Sequence, residues 1–282
     1  MDIGVPDRSV VSPSPVIGLG PDALTLLYGD TGSLRLSFAE TAGTGFKPWL
    51  ELQVAAPSDH LSFGAASWAG LPLTSKTYTF SRNGTSGPYT LVHPLTGATL
   101  SSTTPDKLLI WELPIGSYTV AAPAVLVDIP VTVNPGSPTL GAVSLRAGGG
   151  YALGSDPLNN PLVDPPISAP SQPGQVIPSP LTFTKSNNDP ESETVTGPNF
   201  ISAWRLSANI AKGAEISNLI FNDTLPSDLF LVPNGSEAAI NPNLVVPAGL
   251  NGTLSKAPTG NPTTAPANNQ VVINYGGPVS YT

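Results

Sequence analysis

Apolar residues recur at every second position through much of the first 150 residues, the spacing of strands that bury one face. Leu34, Leu36 and Phe38 share one side of a strand over 33–38. Leu50, Leu52 and Val54 share one side of another over 46–54, with Glu51 and Gln53 on the opposite side. The longest alternation is Val125, Val127, Ile129, Val131 and Val133, and Pro130 within it lacks an N–H, which predicts an edge strand. Segments at 24–28, 78–80, 89–92, 108–113 and 118–120 read as shorter strands, and a last one from Leu140 to Arg146 runs into Gly148, Gly149 and Gly150. Together they predict a complete sandwich over 20–154, preceded by an extended, proline-rich segment over 1–19.

The pattern then changes. Residues 155–180 lose the alternation and carry a dense run of prolines, which predicts a stiff connector. A second module is predicted from Leu181 to Thr282. In it Phe200, Trp204, Leu206, Ala208 and Ile210 fall on one side of a strand, Ala211, Lys212 and Gly213 turn the chain, and Ile216, Ile220 and Phe221 lead towards Pro226, which ends the ladder. Val271 to Tyr275 form a further strand, but the last strands of a sandwich are missing. This module is therefore expected to be truncated, or to be completed by a strand added from a neighbouring chain. The fold class expected is all-β, two tandem immunoglobulin-like antiparallel β-sandwiches with the second incomplete by itself.

Composition supports that class and removes several functions. Among 282 residues, 33 prolines and 28 glycines punctuate short apolar runs, as in β proteins rich in turns. Charged residues make up 11 %, yet 40 % are hydrophobic, too many for a disordered chain. A net charge of −8 with only 11 Lys and Arg disfavours nucleic acid, which is bound through clustered cations. No apolar run approaches the roughly 20 residues that span a bilayer, so membrane insertion is not expected. The absence of cysteine removes disulfides, thiol catalysis and cysteine-ligated zinc together. The start, MDIGVPDRSV, has no charged-then-apolar leader, which fits an internal fragment or a processed chain.

Three segments carry a family resemblance: LTFTKS at 181–186, NIAKGAEISNLIFNDTLP at 209–226 and SDLFLV at 227–232. Their order resembles the bacterial surface-protein repeat known as domain of unknown function eleven, an immunoglobulin-like module strung in tandem along very large exported proteins. GTGFKPWLELQVAAP at 43–57, DKLLIWELPIGSYT at 106–119 and GGGYALGSDPLNNPLVDPP at 148–166 are similar to the module that precedes such repeats in giant adhesins. The resemblance covers most of the chain and implies an extracellular location on a bacterial surface.

Candidate chemistry is sparse. His60 and His93 are the only histidines, no G-x-S-x-G elbow accompanies them, and both read as surface or turn residues. Glu191 and Glu193 are the nearest carboxylate pair but share one loop, whereas glycoside hydrolysis needs two acids facing each other across a cleft. No enzyme is expected. Oxygen-rich loops are more informative. Asp156, Asn159, Asn160 and Asp164 form one cluster, and Asn187, Asn188, Asp189, Glu191 and Glu193 form another; calcium takes about six to eight such oxygens. The alternative is that these residues fold back on their own backbone as Asx turns.

Lys185 shares a strand face with Leu181 and Phe183, which would aim its ammonium at the core. By analogy with pilin-like immunoglobulin folds, Lys185 is a candidate for an isopeptide bond to Asn274 promoted by Asp223. The competing reading is a lysine that snorkels to solvent or pairs with a carboxylate. Sequons at Asn83, Asn222, Asn234 and Asn251 occur about as often as this composition gives by chance.

The function expected is a structural or adhesive stalk segment of a large bacterial surface protein, with neighbouring modules or identical subunits as partners. One alternative is a subunit of an extracellular filament joined by strand addition through the N-terminal tail. Another is a carbohydrate-binding module whose glycan ligand would lie across exposed Trp49, Trp68 or Trp111.

Overall fold

The computed structural model describes residues 11–82, 84–134, 141–155, 165–187, 204–211, 215–216, 219–224, 252–257, 270–275 and 279–280. The chain divides into two units, Met1–Thr182 and Phe183–Thr282. Among the described residues the structure is almost entirely β, with one short 3-10 turn at Ser58–His60 and no helix long and apolar enough to cross a membrane.

The first unit begins with β1 (Pro15–Gly20), β2 (Ala23–Leu27), β3 (Thr31–Glu40), β4 (Thr44–Phe46) and β5 (Pro48–Val54). Short strands follow: β6 (Leu61–Phe63), β7 (Ala66–Trp68), β8 (Leu71–Leu73), β9 (Ser75–Thr79), β10 (Tyr89–Val92) and β11 (Thr99–Ser102). The unit closes with β12 (Lys107–Glu112), β13 (Ser117–Thr119), β14 (Val125–Val133), β15 (Val143–Tyr151), β16 (Ile167–Ser168) and β17 (Gln172–Ser179). A front sheet has the order β1-β3-β14-β7-β8 with β6 also on β14, and a back sheet has the order β2-β17-β15-β5-β12-β9 with β16 on β15. The two sheets face each other as a β-sandwich. Alternation decides which side chains fill it: Leu34, Leu36 and Phe38 from β3, Val127, Ile129 and Val131 from β14, and Leu50, Leu52 and Val54 from β5 are all fully buried in one core. Phe38 meets Tyr118 and Tyr151 edge to face at 5.3 and 5.4 Å, a favoured arrangement of ring quadrupoles.

Three expectations are corrected here. First, β14 is central, paired with β3 on one side and with β6 and β7 on the other. Pro130 is tolerated because it falls at the break between β6 and β7, where its carbonyl accepts the Gly64 N–H and no ladder partner needs its missing donor. Second, much of the expected 155–180 connector belongs to the sandwich. β17 pairs antiparallel with β15 and parallel with β2. Pro173 lies before the β2 pairing begins at Gln175, and Pro178 lies beyond the β15 pairing, which ends at Val176, so neither removes a ladder bond. Third, Gly148–Gly150 extend β15 rather than ending it. Ile17 and Leu50 pack onto Gly149, and the Ile167 carbonyl lies against Gly150, where a side chain would not fit. The N-terminal segment is likewise part of the unit, since β1 forms six register pairs with β3, from Pro15↔Glu40 to Gly20↔Arg35.

β18 (Leu181–Asn187), which crosses the boundary between the units, pairs with β19 (Trp204–Ile210), and in the second unit β20 (Glu215–Ile216) pairs with β24 (Val279–Ser280). A three-stranded sheet joins β21 (Ile220–Thr224), β23 (Gln270–Tyr275) and β22 (Gly252–Ala257), with β23 in the middle.

Candidate ligand groove on the back sheet

The outward side of the back sheet is built in two halves. Over β5 and β12 it is roofed by the hairpin β10-β11. Phe80, Leu108 and Ile110 form a small second core there, with Tyr89, Leu91, Leu95 and Leu100 packed against it. This explains the continuous apolar run Leu108–Trp111, because Leu109 and Trp111 fill the sandwich while Leu108 and Ile110 fill the space under the hairpin.

Polar side chains fix that roof. His93 is buried, with 2 % of its surface exposed. Its Nδ1 accepts the N–H groups of Leu95 and Thr96 at 3.2 and 3.1 Å. The ring proton therefore resides on Nε2, which donates to Glu51 Oε2 at 2.8 Å. The imidazole also lies 4.7 Å from the Trp49 ring, centroid to centroid. Asp106, 3 % exposed, is used just as fully. One carboxylate oxygen accepts the Thr104 hydroxyl at 2.6 Å and the Ala56 N–H at 3.3 Å, and the other accepts the Gln53 side-chain amide at 2.7 Å.

Beyond the roof lies an open groove of about 910 Å³. Gln53, Ser144, Arg146 and Gln175 line its floor, and residues 101–103 and Asp22 stand at its sides. The floor follows from register: Arg146 is opposite Gln53 on one side, and Ser144 is opposite Gln175 on the other. Because Asp106 takes the Gln53 NH2 group, the Gln53 amide is held with its orientation fixed. Arg146 is exposed and forms none of the salt bridges found among the described residues. The arrangement offers oriented amides, hydroxyls and one guanidinium to a polar ligand. Both nitrogens of His93 and both oxygens of Asp106 are engaged internally, which leaves Asp22 as the exposed carboxylate at the groove's side.

A second buried polar centre joins the two sheets. Glu40 Oε1 accepts N–H groups from Ser14, Thr41 and Ala42 at 2.6, 2.9 and 2.9 Å, and Oε2 accepts the Tyr151 hydroxyl at 2.7 Å. Burial pushes the Tyr151 phenol well above its usual range, and its hydrogen bond to the Glu40 carboxylate pushes it in the same direction. Burial raises Tyr118 as well.

The residues singled out from sequence fare unevenly. Asp156, Asn159, Asn160, Asp164, Asp189, Glu191 and Glu193, the candidate calcium ligands, lie outside the described residues. Lys185 is exposed on β18, so the expectation that it points into a core is not met; the Leu181–Phe183–Lys185 face is open to solvent at Phe183 too. Asp223 and Asn274 lie in the other sheet, on β21 and β23, where Asp223 is opposite Val271 and Asn274 opposite Ile220. His93 does open a turn, the one between β10 and β11, but it is buried rather than on the surface. Trp49 and Trp111 are 2 % and 1 % exposed and Trp68 packs against the core, so these three form no flat binding face. The groove residues Gln53, Asp106, Arg146 and Gln175 were not singled out. Their one sequence signal is that Gln53 and Arg146 occupy the polar positions of alternating strands.

No protein-family model and no curated protein matches the chain. Among solved structures, a macrocyclisation catalyst of alchivemycin A biosynthesis, AvmM, is 9 % identical with a TM-score of 0.38, covering 64 % of this chain and 93 % of its own. The cohesin module of a Clostridium perfringens family 33 glycoside hydrolase is 7 % identical with a TM-score of 0.31, covering 60 % and 99 %. BcpA, the major pilin subunit of Bacillus cereus, is 10 % identical with a TM-score of 0.33, covering 72 % and 57 %.

Proposed function

We propose that this chain is a non-catalytic segment of a bacterial surface protein, of the immunoglobulin-like type that its sequence resembles, and that its first unit combines a structural and an adhesive role. The observation that carries the reading is the groove. Asp106 fixes Gln53 beside an exposed Arg146 on a rigid sheet, which is what recognition of a polar surface ligand requires. Hydroxyl-rich or carboxylated glycans present the matching acceptors and donors, so the carbohydrate reading moves from the tryptophans to this groove. Calorimetric titration with neutral and acidic oligosaccharides tests it. Binding lost in both Gln53→Ala and Arg146→Ala supports the reading, whereas binding unchanged in both variants, or turnover of the sugar, overturns it.

The filament alternative has less support. Pro15–Gly20 already pair with β3 of their own unit, so these residues are not available for donation while that pairing stands.

A further inference from the structure

We propose that the first unit is a mechanical clamp, built so that tension along the chain loads its terminal strands in shear. The inference starts from where β1 and β2 lie along β17. Ile17 packs over Gly149, whose carbonyl accepts the Ala169 N–H, and Leu19 packs over Gly174. Ala23 is in register with Gln175, and Leu27 with Ser179. Positions 17, 19, 23 and 27 thus follow one another in the same direction as positions 169, 174, 175 and 179. The first strand pair runs the length of the sandwich in the same direction as the last strand, first in the front sheet and then in the back sheet.

The chain therefore enters at one end, beside Glu40, and leaves β17 at the other, beside Leu27. Pulling the two exits apart drags β2 and β17 past each other along their own axes. The bonds between parallel strands are evenly spaced and run aslant across that direction, so they are loaded together rather than one after another. The same holds for β1 against β3 over its six register pairs. The ladder between β2 and β17 is bounded by the Gln175 N–H on the Asp22 carbonyl and the Tyr28 N–H on the Ser179 carbonyl.

The entrance carries its own lock. Ser14 donates its N–H to Glu40 and to the Ala42 carbonyl, while its own carbonyl accepts from both the N–H and the hydroxyl of Thr41. Glu40 is in turn anchored across the sandwich by Tyr151. Load arriving at Ser14 is thereby passed to both sheets.

The use of such a clamp rests on the stalk reading, but the clamp is tested without it. The chain has no cysteine, so one introduced thiol gives a unique handle. The full chain is pulled in single-molecule force spectroscopy from its N-terminus against Thr184→Cys, an exposed position on β18, the strand that follows β17. It is then pulled from its N-terminus against Val120→Cys. Val120 is 54 % exposed, and its N–H bonds the Gly43 carbonyl beside the Ser14 end, so this second geometry peels β1 away from one end.

The expected result is an unfolding force roughly twofold or more higher in the first geometry, because forced unfolding follows the unfolding barrier along the imposed direction. Glu40→Gln should lower the first force while leaving the first geometry the stronger one. Equal forces in the two geometries, or a stronger response from the Val120 handle, would overturn the clamp. That outcome leaves glycan binding in the groove untouched, just as loss of that binding leaves the force ratio untouched.

Discussion

The outward faces of β3 and β5 look alike in sequence and differ completely in the molecule. On β3, Arg35 points to water and pairs with Asp128 of β14 at 2.7 Å, with both side chains about half exposed. On β5, Glu51 pairs with His93 at 2.8 Å and Gln53 with Asp106 at 2.7 Å, under a hairpin that buries both partners. The contact lengths are nearly the same. Water competes fully for the first pair and much less for the others, whose partners His93 and Asp106 are buried, so the covered face draws more stability from its polar contacts. The same period of two therefore describes a solvent face in one sheet and an interface between layers in the other.

The strongest way to break this contrast is Asp106→Ala. It leaves the Ala56 N–H, the Thr104 hydroxyl and the Gln53 amide without the acceptor that the buried Asp106 carboxylate provides. A loss of about 4 kcal/mol is expected, since each stranded buried donor costs roughly 1 kcal/mol or more. Denaturant titration of the first unit's transition reads it directly. A loss near zero would mean that the hairpin roof is not held by this carboxylate.

This contrast also marks how far the sequence could be read. The buried sides of β3, β5 and β14 were legible because each strand's alternation is a local signal, and Leu34, Leu50 and Val127 all fall where that signal puts them. The roof was not legible, because Glu51 and His93 are 42 residues apart and Gln53 and Asp106 are 53 apart. Nothing in a local pattern tells a polar residue facing water from one facing a second layer. The prolines misled for a related reason. Pro130, Pro173 and Pro178 are costly in a strand only where a neighbour needs the missing N–H, and each sits where no neighbour does. The groove inherits both problems, since its floor mixes polar positions from β5, β15 and β17 and its Gln53 is set by Asp106 from a loop. The calcium and isopeptide candidates were chosen by residue type and spacing. The first set lies outside the described residues, and the second is split between two sheets.

A smaller effect is expected between the two faces, at the point where the sheets meet. Tyr151→Phe removes the hydroxyl that Glu40 accepts and should cost about 1.5 kcal/mol at neutral pH, as for a hydrogen bond to a charged group. The sign of its pH dependence follows from the raised phenol. The folded protein keeps the Tyr151 proton where the unfolded chain, with an ordinary tyrosine near pH 10, releases it. The contribution is thus complete below about pH 10 and is lost as pH rises towards the folded value. Denaturation midpoints measured from pH 8 to 11 should show wild type and variant converging at the alkaline end. A gap that stays constant over that range would show that Tyr151 does not hold its proton in the folded state.

The smallest effect belongs to the bare face. Arg35 donates from Nε to Asp128 Oδ1 at 2.7 Å and from Nη2 to Oδ2 at 3.2 Å, a two-pronged contact that by geometry alone would rank with the best in the molecule. The hydrogen bond to Asp128 and the attraction of its charge raise the Arg35 guanidinium further above its already high range. Both groups nevertheless stand in water, which solvates the separated ions almost as well as the pair, and ordering two side chains opposes what attraction remains. Arg35→Ala and Asp128→Ala should therefore leave the melting temperature unchanged within experimental error, in low salt and in molar salt alike. A loss approaching that of Asp106→Ala that persists in molar salt would mean that the pair is protected from solvent, and the contrast between the two faces would have to be redrawn.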